Sequence, residues 1–134
     1  MTDPQTVLEQ ARQGVAPASW RVYTKRRGKV SGFLRGSSHD PDPLLVITPD
    51  GTVEYRDDRT PLDIVRFDDL AGVELQVRGQ SFSDSTRVNI SAWLDLRLRN
   101  GEKGKWRSAS FGDDVQVIQG FLEAYGAHKA LRGV

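Results

Sequence analysis

The chain contains no cysteine, one methionine, two histidines, and no apolar run long enough to cross a bilayer as a helix. The lack of cysteine excludes disulfide staples, thiolate nucleophiles and cysteine-based zinc sites together, and suits a reducing compartment. His39 and His128 are far apart, and neither has a second histidine at the spacing of a metalloprotease helix. No phosphate-binding glycine loop, dinucleotide fingerprint or nucleophile elbow occurs. The opening "MTDPQTVLEQARQG" lacks the basic start and apolar run of a signal peptide, so the expected location is cytoplasmic. These absences predict a protein that binds rather than catalyses and that needs no cofactor.

What is present suffices for one hydrophobic core: 134 residues, 37% of them hydrophobic. The expected organisation is a helix and linker over residues 1–19 and a body over 20–134, forming a single domain. The net charge of +1 conceals a banded distribution. Arg21, Lys25, Arg26, Arg27, Lys29 and Arg35 stand together without a carboxylate, whereas residues 37–74 carry ten carboxylates against Arg56, Arg59 and Arg66. Banding of this kind orients a partner, while a uniformly basic surface would indicate bulk attraction to nucleic acid.

Local chemistry predicts a short first helix: Asp3 caps it, Pro4 fits its first turn, Val7, Leu8 and Ala11 share a side, and Gly14 stops it. Strands follow. "WRVY" alternates and extends toward the basic stretch; "LLVIT" and "TVEYR" flank a turn at Pro49, Asp50 and Gly51; "PLDIVRF" is a further strand. In "GVELQV" Val73, Leu75 and Val77 alternate with polar residues. In "VNISAWLDLRL" Val88, Ile90, Ala92, Leu94, Leu96 and Leu98 line one face, leaving Trp93, Asp95 and Arg97 on the other. "RNGEKGK" turns the chain and "KWRSASF" returns it. The period then becomes helical over residues 113–132, with Val115, Ile118, Phe121, Leu122, Tyr125 and Leu131 recurring and Asp113 with Gln116 forming a capping box. Gly120 and Gly126 in that helix imply close packing against a sheet.

Six to eight antiparallel strands closed by a C-terminal amphipathic helix make an α+β protein, a strongly bent sheet or small barrel with an extra N-terminal helix. The succession "LLVITPDGTVEYRDD", "LDIVRFDDLAGVELQV" and "WLDLRLRNGEKGKWRSASFGDDVQVIQGFLEAY" resembles a bacterial pleckstrin-homology-like domain over roughly residues 20–130. The resemblance implies a binding or adaptor module that takes a lipid headgroup or peptide at one end of its barrel. It places Lys25, Arg26, Arg27 and Lys29 of the first hairpin, with Lys103 and Lys105 of the last, at that end as candidate anion-binding residues; Asp57 and Asp58 would border the same pocket. For the basic stretch the alternative is a solvated face that discourages edge pairing.

The expected partners are another protein or an anionic surface held weakly and salt-sensitively, rather than nucleic acid. Aromatics among cations stack bases, but parity puts only Trp93 clearly outside. A two-residue turn at Asn100 and Gly101 would put Trp106 outside too and Arg107 inside; a longer loop turns Trp106 inward beside Leu98 and spares the guanidinium burial. Trp93 is expected to be covered by the N-terminal helix, which has its own apolar side to bury, and is otherwise the candidate protein contact. The alternative from a different class is a small hydrolase or metal-dependent enzyme using His39, Asp40 and Asp42 of "HDPD" as hard ligands.

Overall fold

The computed structural model describes residues 2–24, 43–56, 61–81 and 88–131. The basic stretch with Lys25, Arg26, Arg27, Lys29 and Arg35, the loop with His39, Asp40 and Asp42, and the pair Asp57 and Asp58 lie outside the described residues. Helix α1 (Pro4–Gln13) begins where Asp3 accepts hydrogen bonds from the Gln5 and Thr6 amides at 3.1 and 3.3 Å, and ends at Gly14 in the left-handed conformation. Strands β1 (Arg21–Thr24), β2 (Leu44–Thr48), β3 (Gly51–Tyr55) and β4 (Pro61–Arg66) form one antiparallel sheet in sequence order. Strands β5 (Leu70–Ser81), β6 (Val88–Leu98) and β7 (Lys103–Trp106) form a second. Helix α2 (Val115–Leu131) follows. No helix among the described residues is long and apolar enough to cross a membrane.

The single bent sheet or small barrel expected from the sequence is therefore two sheets, with no closed barrel among the described residues. The ladder breaks at a 3-10 turn, Phe67–Asp69, where the chain leaves β4 and buries Phe67 against α2. There Phe67 meets Phe121, Tyr125 and His128 edge to face, with ring centroids 5.4, 5.6 and 5.7 Å apart. Leu45, Ile47, Leu94, Trp106, Val117 and Ile118 complete this core.

Strand β2 is buried along its whole length because the first sheet is covered on both faces. Leu45 and Ile47 face α2 and the second sheet, while Leu44 and Val46 join Val53, Tyr55, Val7 and Leu8 in a separate cluster beneath α1. Trp20 and Ala11 pack at its margin. Tyr55 donates its phenolic hydrogen to the Pro4 carbonyl, which ties the helix start to β3. Its burial, reinforced by nearby Asp3, pushes the phenol up to about 12. So α1 buries its apolar side on β2 and β3 and does not cover Trp93, correcting that expectation.

The last helix starts two residues later than expected. Asp114, not Asp113, caps it, accepting from the Gln116 amide at 2.9 Å, while Asp113 pairs with Arg107 at 2.7 Å. Val115 and Leu131, assigned to the apolar stripe, are 71% and 84% exposed; the buried face runs instead through Val117, Ile118, Phe121, Tyr125 and His128. The stripe shifts because Gly120, rather than a side chain, occupies the closest approach to the sheet. A Cβ there would collide with the Tyr23 hydroxyl and lie 3.2 Å from Arg21 Cδ. Tyr23 in turn donates to the Gln116 carbonyl at 3.3 Å, its own phenol pushed up chiefly by burial. Gly126 has nothing within 4 Å, so the close packing inferred for both glycines applies to Gly120 alone.

The same substitution at the two positions is expected to act with opposite signs. Gly126→Ala should stabilise by about 1 kcal/mol through helix propensity, and Gly120→Ala should destabilise by about 1–3 kcal/mol through overpacking. Denaturant unfolding of both variants checks this; equal shifts of one sign would contradict the packing of α2 on β1.

Candidate binding face

The second sheet presents two unlike faces. Its ladder aligns Leu75 with Leu94 and Trp106, and Val73 with Leu96 and Gly104, on the core side. The opposite face carries Gly72, Arg97 and Lys103 in one row, Glu74, Asp95 and Lys105 in the next, then Gln76 beside Trp93, then Arg78 beside Ser91. The hairpin between β6 and β7 sets this alignment. Leu98 accepts from the Gly101 amide, and its own amide donates to the Glu102 carbonyl, so three residues form the turn, with Gly101 at φ 92. This longer loop turns Trp106 inward, buried opposite Leu94 rather than beside Leu98, and leaves Arg107 exposed in its pair with Asp113.

Trp93 stands half-buried on the outer face, its indole N–H donating to Asp95 at 3.1 Å. The Lys105 ammonium sits 5.2 Å from the centre of its ring. One row away, Arg97 and Lys103 are directly opposite each other, a like-charge pair that costs a sheet stability unless something negative approaches. Neither has a carboxylate within ion-pair distance among the described residues, unlike Arg21, which meets Glu123 at 2.6 Å, and Arg107. Arg97 lies across Gly72, where a Cβ would come within 2.9 Å of its guanidinium, so the glycine leaves room for that side chain. Beside this corner is a cavity of about 760 Å³, lined by Arg97, Lys103 and Lys129 together with Glu74, Asp95 and Tyr125. Lys129 lies over the Tyr125 ring at 5.6 Å.

Lys103, Lys105 and Trp93 are thus brought onto one face. Lys25, Arg26, Arg27 and Lys29 lie outside the described residues. Arg97 and Lys129 were not singled out from the sequence as ligands. The pairing of Arg97 with Lys103 depends on the hairpin register, which alternation alone leaves open.

Two carboxyl groups stand opposite each other on β3 and β4, and only the first has structural work. Glu54 is buried on the core face of β3 and accepts from Ser108 Oγ at 3.1 Å, the Ala109 amide at 3.2 Å and the Ser110 amide at 2.8 Å, fastening the segment between β7 and α2. Asp63, opposite Glu54 on β4, has its carboxyl pushed up by burial and then by the Glu54 charge, with the Ile64 amide and the Trp106 indole opposing weakly. Among the described residues, the buried Trp106 N–H makes no hydrogen bond of normal geometry. His128 closes the far side of the core, its Nδ1 3.1 Å from the Pro49 carbonyl and its Nε2 3.0 Å from Asp68.

A carboxyl whose folded-state pKa exceeds its unfolded value is penalised when ionised, so its contribution to stability is best below the unfolded pKa and is lost as pH rises through the folded one. Asp63→Asn is therefore expected to raise the melting temperature at neutral pH, with the gain fading as pH falls toward about 4. Paired thermal melts across that range check it, and a gain independent of pH would contradict the assignment.

No family model matches this chain, and no curated protein matches it.

Proposed function

We propose that the chain is a non-catalytic binding module of pleckstrin-homology-like fold whose outer β5–β7 face takes an acidic segment of another protein. Two sheets of four and three strands with a helix after the last strand support the fold reading. The observation that carries the functional reading is that Arg97 and Lys103 stand directly opposite each other with no carboxylate within ion-pair distance among the described residues, while Lys105 lies over a half-buried tryptophan. Tryptophan and arginine are the side chains that anchor protein interfaces. The adjoining row of Glu74 and Asp95 favours a protein over a lipid surface, because a flat anionic membrane would meet those carboxylates as well as the cations, whereas a protein can match both rows.

A glutamate-rich peptide serves as the probe. At low salt it is expected to perturb Trp93 fluorescence, with the effect lost as ionic strength shortens the screening length to about 8 Å. Replacing Arg97, Lys103 and Lys105 together by Gln should abolish the response while moving the melting temperature by no more than about 2 °C, since exposed charges contribute little to folding. Phosphatidylserine vesicles should respond more weakly than the peptide. Stronger vesicle binding would transfer the reading to membranes, and no response to either probe would overturn it.

A further inference from the structure

Strand β5 is the longest strand among the described residues and lies at the edge of its sheet, where among those residues it is hydrogen-bonded only to β6. One edge of the other sheet, β4, is guarded. β4 starts with Pro61, faces a register irregularity at Glu54 and Tyr55, and points the Asp63 carboxylate toward the core side, three devices that prevent a further strand from adding. β5 has none of them over residues 73–79. It carries Val73, Leu75 and Val77 on its inner side, and its irregularity is confined to its start, between Leu70 and Gly72. Leu75 and Val77 are 46% and 61% exposed there, and Ile90 of β6, on the same side, is 62% exposed, although alternation assigns all three to a buried face.

We infer that β5 pairs antiparallel with β5 of a second copy about a two-fold axis at Gln76, joining the two three-stranded sheets into one of six strands. The charges on the outer side select this partner and this register. In an antiparallel two-fold pair, one residue lies opposite its own copy, and the faces of the two strands stay aligned. With Gln76 at the axis, Glu74 lies opposite Arg78 of the second copy and Arg78 opposite its Glu74, two complementary pairs. On the other side Leu75 lies opposite Val77 and Val77 opposite Leu75, covering the exposed apolar groups, while Val73 meets Gly79. Registers centred on Glu74 or Arg78 set like charges against each other, and those centred on Leu75 or Val77 leave Glu74 and Arg78 unmatched. The outer faces that carry Trp93 would then lie side by side on one continuous sheet.

Sedimentation equilibrium of the full chain across a wide concentration range is expected to show a monomer–dimer equilibrium. Arg78→Glu alone, or Glu74→Arg alone, replaces both complementary pairs by like-charge pairs and should weaken the dimer roughly tenfold to a hundredfold. The combined swap Glu74→Arg with Arg78→Glu should restore it. Because the chain has no cysteine, Gln76→Cys gives a single-site test. Directly opposed Cα atoms are about 4.5–5.5 Å apart, within disulfide reach, whereas the copies of position 74, or of position 78, would be about 14 Å apart. Oxidation should therefore cross-link Gln76→Cys and spare Glu74→Cys and Arg78→Cys. A chain monomeric at all concentrations, a dimer indifferent to the single charge reversals, or cross-linking no stronger at position 76 than at 74 and 78 would overturn the inference.

Discussion

Phe121→Ala is expected to lower the unfolding free energy by about 3–5 kcal/mol, the range for truncating a fully buried phenylalanine. Its ring is enclosed between Phe67 of the 3-10 turn and Trp106 of β7, with centroids 5.4 and 4.7 Å away. It therefore joins three parts of the chain: the break between the sheets, the last strand and α2. Collapse of the site to fill the void is opposed because Gly120, the preceding residue, already holds α2 against Tyr23. Urea unfolding monitored by far-ultraviolet circular dichroism checks the prediction. A loss below about 1 kcal/mol would show that α2 does not plug the core as described.

Glu54→Ala should cost about 2–4 kcal/mol, because its carboxylate receives three donors from residues 108–110 and no other acceptor for them is present among the described residues. The distinguishing variant is Glu54→Gln, which keeps the volume and one acceptor oxygen; it should lose less than the alanine variant. Hydrogen exchange at the Ala109 and Ser110 amides should accelerate in both, and more in alanine. Equal stabilities for wild type and Glu54→Ala would mean that the segment before α2 is held by the Arg107–Asp113 pair instead.

The parts legible in the sequence are those set by local chemistry. β6 spans Val88–Leu98, the stretch whose alternation is unbroken, and α1 begins and ends where Asp3, Pro4 and Gly14 place it. Leu75, Val77 and Ile90 show the limit of that reasoning: alternation places them on the core side of the sheet but does not tell how far the core extends along a long ribbon. The division into two sheets was hidden because "PLDIVRF" reads as one strand through Phe67; the chain departs from the ladder there to bury the ring, a tertiary choice. The destination of α1 was equally hidden, since Val7 and Leu8 specify an apolar partner and not which one. The second face of β2 became visible only when Leu44 and Val46 were found beneath the helix.

The candidate face divides in the same way. Trp93 could be placed outside by parity, whereas Lys103 and Lys105 were suggested only by the family resemblance, at the end of a barrel rather than on this face. Arg97 joined them only once the three-residue turn fixed its position opposite Lys103. Glu54 gave no signal as a buried acceptor, because its donors lie more than fifty residues later, in "SAS".

The most direct test of the binding reading is a map of amide and indole nuclear magnetic resonance shifts as the glutamate-rich peptide is added to the full chain at low salt. Saturable shifts are expected, concentrated at Trp93, Arg97, Lys103 and Lys105 and absent from the variant in which the three cations are replaced by Gln. Shifts centred on another surface, or a pattern unchanged by that variant, would contradict it.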